Sequence, residues 1–146
     1  RAAAERFGRI DVLVNNAAGN FIAPAFLLPP KGFKAVVDID LLGSFNACRA
    51  AFDQLAETNG SIIFISAGQA FVPYPAQAHV GAAKAGVDHL MRNLALEWGR
   101  HGIRANSVAP GSMSRQGLQP PHLHQHTMPD QTKSLNIGRR DSVFEP

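Results

Sequence analysis

The stretch Ile10-Asp11-Val12-Leu13-Val14-Asn15-Asn16 decides the fold. It is short and β-branched, with Gly8 on one side and Ala17-Ala18-Gly19 on the other. A compact apolar run bounded by turn residues reads as a strand buried in a parallel sheet. The Ala-rich segment Arg1–Phe7 before it reads as the last turns of a helix. A chain that opens in mid-helix predicts further sequence upstream.

Beyond this strand, residues 20–31 form a loop marked by Pro24, Pro29 and Pro30. Apolar residues then recur at spacings of three and four, among them Phe33, Val36, Val37, Leu41, Phe45, Cys48, Ala51, Phe52 and Leu55. That periodicity predicts a helix from about Phe33 to Thr58, stopped by Asn59-Gly60. Ser61-Ile62-Ile63-Phe64-Ile65-Ser66 is a second buried strand. A Gly- and Pro-marked loop leads to a second long helix, about Gln77 to Gly99, with Val80, Val87, Leu90, Met91, Leu94 and Trp98 on one face. Residues 103–109 form a third strand, closed by Pro110-Gly111. Strands that alternate with long helices predict an α/β fold, a doubly wound parallel sheet with helical crossovers. Residues 1–112 are read as the domain. Residues 113–146 carry Pro120, Pro121, Pro129 and Pro146 and little apolar periodicity, and are read as an irregular tail.

The chain has 146 residues, 45% hydrophobic and 17% charged, which suits one domain with a sizeable core. Its one cysteine, Cys48, excludes an internal disulfide framework and a multi-cysteine metal site. No run of 18 apolar residues is present, so no helix is expected to span a membrane. The formal net charge of +3 comes without a dense Lys/Arg stripe, which argues against a nucleic-acid partner. A soluble protein of a reducing compartment is expected.

Open parallel sheets bind ligands at the carboxyl ends of their strands. Three loops lie at that edge here: Asn15 to Phe21, Ser66 to Pro75, and Pro110 to Arg115. Lys84 sits within Gly81-Ala82-Ala83-Lys84-Ala85-Gly86, where small neighbours let a ligand come close. Asp88 lies four residues on, on the same face. Lys84 and Asp88 read either as an ordinary helix ion pair or as a charged pair that holds a water. Asp40, in Val37-Asp38-Ile39-Asp40-Leu41-Leu42-Gly43, is a mid-helix acid flanked by apolar residues, and position alone does not separate it from Asp38. His122, His124 and His126 alternate along the tail and, among prolines, read as a solvated loop, so no metal site is assigned. His-Glu-x-x-His, Gly-x-Ser-x-Gly and P-loop patterns are absent.

From about Gly8 to Gly111 the chain resembles the short-chain dehydrogenase/reductase family. The likeness rests on Asn15-Asn16-Ala17-Ala18-Gly19, the strand Ser61–Ser66, the helix bearing Lys84, and Ile103-Arg104-Ala105-Asn106-Ser107-Val108-Ala109-Pro110-Gly111. The family's usual catalytic set is Asn, Ser, Tyr and Lys. Here only Lys84 is kept; Asp40, Ala67 and Val80 stand at the other three positions. The chain is therefore either an inactive member or one of a branch that never used the phenol, and the second fits better. Asn16-Ala17-Ala18-Gly19-Asn20-Phe21, Asp38-Ile39-Asp40, His79 to Asp88 and Leu96-Glu97-Trp98-Gly99 resemble the branch of peroxisomal 2,4-dienoyl-CoA reductases, in which the Tyr is also absent.

The resemblance implies NADPH-dependent reduction of a 2,4-dienoyl-CoA to a trans-3-enoyl-CoA, with Asp40, Lys84 and Asp88 as catalytic candidates. It places Asn16, Ala17, Lys84, Pro110, Gly111, Ser112, Met113 and Ser114 along the cofactor, NADP. Phe21, Pro29, Pro30 and Lys31 border the acyl-CoA, and the two long helices pack against a second subunit. It implies a peroxisomal location, with a cytoplasmic one as the alternative, since Phe144-Glu145-Pro146 is no Ser-Lys-Leu-type address. The family's Gly-rich first turn is not in this sequence, so the fold is expected to be a partial Rossmann-like sheet of a truncated chain with low or no activity alone. A generic carbonyl reductase and a non-catalytic interaction protein are the alternatives. The missing Tyr and Ser, at Val80 and Ala67, weigh against the former.

Overall fold

A computed structural model describes residues 2–111. After a short helix α1 (Ala2–Phe7) the chain forms strands β1 (Val12–Asn15), β2 (Ser61–Ile65) and β3 (Arg104–Val108). They make one parallel sheet in the order β1-β2-β3. Each strand is shorter than its sequence signal, by one residue in β2, two in β3 and three in β1.

The register sets which side chains meet. Leu13 pairs with Ile62 and Asn15 with Phe64; Ile62 pairs with Ala105 and Phe64 with Ser107. These six share one face, because side chains alternate along a strand. The two long helices cover that face. Cys48, Ala51 and Leu55 from the first and Val87 and Leu94 from the second close a core around Ile62, Phe64, Ile103 and Ala105. The opposite face is different. Val12, Val14 and Val108 are about half exposed, so β1 is not buried on both sides as its continuous apolar run predicts.

The first long helix starts three residues earlier than its periodicity suggests. α2 (Pro30–Val37) has Pro30 in its first turn, where a missing N–H costs nothing. A π-helical turn, Asp38–Leu42, follows without a break and leads into α3 (Gly43–Thr58). The Gly43 N–H closes the wide turn on the Asp38 carbonyl. Asn59, in the left-handed region at φ 50°, ends α3. The Gly60 N–H then reaches back to the Leu55 carbonyl at 2.8 Å, the Schellman pattern. A side chain at Gly60 would place its Cβ 2.6 Å from Leu55 Cδ2 and 2.9 Å from the Asp11 carbonyl oxygen, so glycine alone fits. α4 (Ala78–Trp98) matches its sequence signal to within a residue. Val80 and Ala83 pack on Val36, which fixes α2 against the start of α4.

Candidate active site

Two charged side chains meet inside this frame. Lys84, in the second turn of α4, is buried, and its Nζ donates to the Ile65 carbonyl at 2.9 Å. Asp40, in the π turn, is 1% exposed. Its Oδ2 lies 3.5 Å from Lys84 Nζ, and its Oδ1 accepts the Gly19 N–H at 2.7 Å. Ile65 ends β2, and Gly19 lies in the loop after β1, so the pair sits at the carboxyl edge of the sheet. Among the described residues this is the one buried ion pair; Arg9–Asp11 and Lys34–Asp38 are on the surface.

The π turn aims Asp40. The Ser44 hydroxyl donates to the Asp40 carbonyl at 2.6 Å, satisfying the backbone where the turn widens. On the other side α4 comes very close: a Cβ at Gly86 would lie 2.8 Å from Leu41 Cδ2. π turns inside α-helices often occur at functional sites. Asp38, the other candidate acid, points elsewhere and pairs with Lys34 one helical turn earlier.

Asp40 Oδ2 finds no hydrogen-bond donor among the described residues, although it is buried. Lys84 stands within ion-pair range without completing a hydrogen bond to it. Leaving such an oxygen open is costly, so the spot suits a donor that arrives from outside, such as a water or a ligand hydroxyl.

Asp88 is buried one turn beyond Lys84 but has different partners. Its Oδ2 accepts the Ser66 hydroxyl at 2.8 Å, and its Oδ1 accepts the Ser107 hydroxyl at 2.5 Å. It thereby fastens α4 to the ends of β2 and β3. The alternative of a Lys84–Asp88 ion pair is not realised among the described residues: each side chain has a closer partner across the sheet edge. Sequence reasoning missed Ser66 and Ser107. Their signal was the register that sets strand-end hydroxyls side by side, which only the paired sheet supplies.

Asn16 and Ala17 are exposed in the loop after β1, and Pro110 and Gly111 are exposed after β3. Ser112, Met113 and Ser114, and the three tail histidines, lie outside the described residues. Phe21 stacks on the fully buried His79, ring centroids 4.4 Å apart. Neither ring nitrogen of His79 has a partner among the described residues, a feature sequence reasoning did not single out. Pro29 precedes α2, while Pro30 and the exposed Lys31 begin it, and Phe21 and Pro29 both come close to Gly32. Tyr74 lies in the loop before α4, about half exposed. Cys48 is buried, and burial pushes its thiol above the ordinary range while the hydrogen bond from Asn15 Nδ2, at 3.1 Å, pulls the other way.

A family model described as short chain dehydrogenase matches residues 1–123. The chain belongs to the short-chain dehydrogenase family. A peroxisomal 2,4-dienoyl-CoA reductase of Saccharomyces cerevisiae, named as (3E)-enoyl-CoA-producing, is 51% identical over 116 residues, which are 79% of this chain and 40% of that protein. A probable 2,4-dienoyl-CoA reductase of Bacillus subtilis, named as (2E)-enoyl-CoA-producing, is 47% identical over 80% of this chain and 47% of its own length. This short-chain dehydrogenase chain therefore spans less than half of either relative. Among solved structures, a gluconate 5-dehydrogenase of Burkholderia cenocepacia in complex with NADP and tartrate superposes with a TM-score of 0.74. It is 33% identical, with 79% of this chain and 46% of that one covered. The fold is thus the Rossmann-like α/β sheet of oxidoreductases that use nicotinamide cofactors.

Proposed function

We propose that this sequence carries the proton-handling half of a 2,4-dienoyl-CoA reductase that works with NADPH and yields a trans-3-enoyl-CoA. The observation that carries this reading is the buried Asp40–Lys84 pair with one carboxylate oxygen left open, in a site where Val80 holds the place of the family's phenol. The names of the yeast and Bacillus relatives support the substrate class.

The residues present fit a nicotinamide cofactor: a buried ammonium stands at the sheet edge, between the exposed small residues after β1 and those after β3. Asn16, Ala17, Lys84, Pro110 and Gly111, with Ser112, Met113 and Ser114, are the residues that would hold it. When bound there, NADPH supplies the hydride for the δ-carbon of the conjugated thioester. Reduction moves negative charge onto the thioester oxygen, and the Lys84 ammonium favours that charge in a dry site. The proton goes to the α-carbon, at a distance from the alkoxide position that a phenol serves. A water on Asp40 Oδ2, within reach of Lys84, delivers it. Phe21, Pro29, Pro30 and Lys31 border the thioester, with Lys31 free to meet a CoA phosphate. Asp88 keeps α4 in register with β2 and β3.

A homo-oligomer through the two long helices accords with the exposed Ile39, Leu42 and Phe45, spaced by three on the outer side of the π turn and α3. The peroxisomal relatives make the peroxisome the proposed compartment. The test is direct. The purified chain is mixed with NADPH and 2,4-decadienoyl-CoA, and the product's double bond is placed by mass spectrometry. Consumption of NADPH with a 3-enoyl product is expected. Turnover of simple ketones but not of the dienoyl thioester would replace this reading with that of a carbonyl reductase.

A further inference from the structure

The stop of α3 places an asparagine amide next to a glycine, Asn59-Gly60, and no other asparagine of the chain precedes a glycine. In an unfolded chain such a pair is open to a reaction that a bulkier neighbour hinders. The main-chain nitrogen of the glycine attacks the asparagine Cγ, and a five-membered imide forms as ammonia leaves. Water then opens the ring at either carbonyl. One product is aspartate; the other is isoaspartate, whose main chain runs through Cβ and Cγ. Asparagine belongs to the thermolabile residues.

The folded chain blocks this chemistry at the atoms that would react. Ring closure needs the Gly60 nitrogen to eclipse Cβ about the Asn59 Cα–C bond, and at φ 50° and ψ 47° the two stand nearly anti. The nitrogen is also engaged, because Gly60 is buried and its N–H donates to the Leu55 carbonyl at 2.8 Å. The amide is confined as well. A Cβ at Gly102 would lie 2.0 Å from Asn59 Oδ1 and 3.0 Å from its Cγ, so the amide rests against the bare Cα of Gly102, itself left-handed at φ 78°.

The fold that protects the pair also requires it. A left-handed cap selects Gly or Asn, and a side chain at Gly60 has no room. Gly60 is the entrance to the central strand: its carbonyl accepts the Arg104 N–H at 3.0 Å, and the next N–H, of Ser61, donates to the Asp11 carbonyl at 2.9 Å. An extra main-chain carbon just before Gly60 spoils the register with both neighbours. The Thr58 hydroxyl, donating to the Ile10 carbonyl at 2.9 Å, ties the end of α3 to the approach of β1. We propose that Asn59-Gly60 is a latent self-modification site, inert in the folded chain and released when the end of α3 opens. Isoaspartate at position 59 then bars the return to this cap. The reaction uses the chain's own atoms and water, and no residue of the site at the carboxyl edge of the sheet.

The test incubates the full chain at mildly alkaline pH, folded and in concentrated urea. Asn59 is followed by peptide mapping and by released ammonia, and isoaspartate is counted by enzymatic methylation. Conversion in urea is expected to be about tenfold or more faster than in the folded chain, since the rate follows the open fraction. Thr58→Val, which loses the tie to Ile10, should raise the folded-state rate about fivefold or more and leave the rate in urea unchanged. Asn59→Gly suits the left-handed cap and should silence the ammonia release. After dilution from urea, size exclusion should find the isoaspartate in chains that stay expanded. Equal rates in the two conditions overturn the proposal, as does ammonia released by Asn59→Gly at the parent rate. So does an unchanged folded-state rate in Thr58→Val, or isoaspartate shared evenly between compact and expanded chains.

Discussion

Asp40 and Asp88 are both buried acids at the same sheet edge, yet their surroundings are opposite. Asp88 has a hydroxyl donor from the protein on each of its oxygens. Asp40 has one oxygen held by the Gly19 N–H and the other left open beside an ammonium. A carboxylate with each oxygen held by a protein donor is a fastening. One with a vacancy next to a cation can take up a water and pass on its proton. The two acids follow from the same residue type and similar burial. Their difference is made by what the sheet register and the π turn bring to each.

The sharpest way to break this contrast is through turnover. Asp40→Asn is expected to lower dienoyl-CoA reduction by about 10²- to 10³-fold, with NADPH affinity, read by fluorescence titration, little changed. Asp88→Asn should cost far less turnover. If Asp88→Asn abolished activity and Asp40→Asn did not, the roles would have to be exchanged. Next in size is the cost of separating the pair. Lys84→Met leaves the Asp40 carboxylate buried without its cation, and urea unfolding should report a loss of about 3 kcal/mol. Adding Asp40→Asn should recover much of that loss, a coupling that a double-mutant cycle measures directly. Asp88→Ala should then cost about 2 kcal/mol, because two strand-end hydroxyls lose their acceptor. Amide exchange at the ends of β2 and β3 should quicken with it.

How much of this was legible beforehand follows the same divide. The strands, the two long helices and the stop at Asn59-Gly60 were readable because periodicity and turn chemistry are local. Lys84 and Asp40 were found as candidates from their apolar and small-residue settings and from the family resemblance. Their meeting was not readable, since it depends on a π turn inside a sequence whose periodicity looks continuous. The helical spacing of Lys84 and Asp88 pointed to each other as partners. The tertiary structure overrode that weak local preference with a backbone carbonyl for one and two serines for the other. The open face at Val12, Val14 and Val108 was hidden for a related reason: an apolar run states what a strand can bury, not what is there to bury it.

The smallest effect concerns Cys48, whose thiol is shut in the core beneath Asn15. Burial raises its titration above the ordinary thiol value of 9.0. The folded state thus keeps its proton longer than the unfolded chain does. Its contribution to stability is whole below that value and declines as pH rises past it. Alkylation by iodoacetamide at pH 8 should be slow in the folded protein and prompt in urea. Rapid labelling without denaturant would show that Asn15 and Cys48 are not held together as described.

The wide turn at Asp38–Leu42 has a consequence for how this helix can change over time. A spare residue stored in mid-helix is a place where the chain can lose one position and keep its backbone ladder. Such a loss would close the wide turn into an α turn and re-aim the side chains within it, the acid included, while α2 and α3 keep their places. One excised codon would separate a chain that handles protons from one that merely keeps the shape.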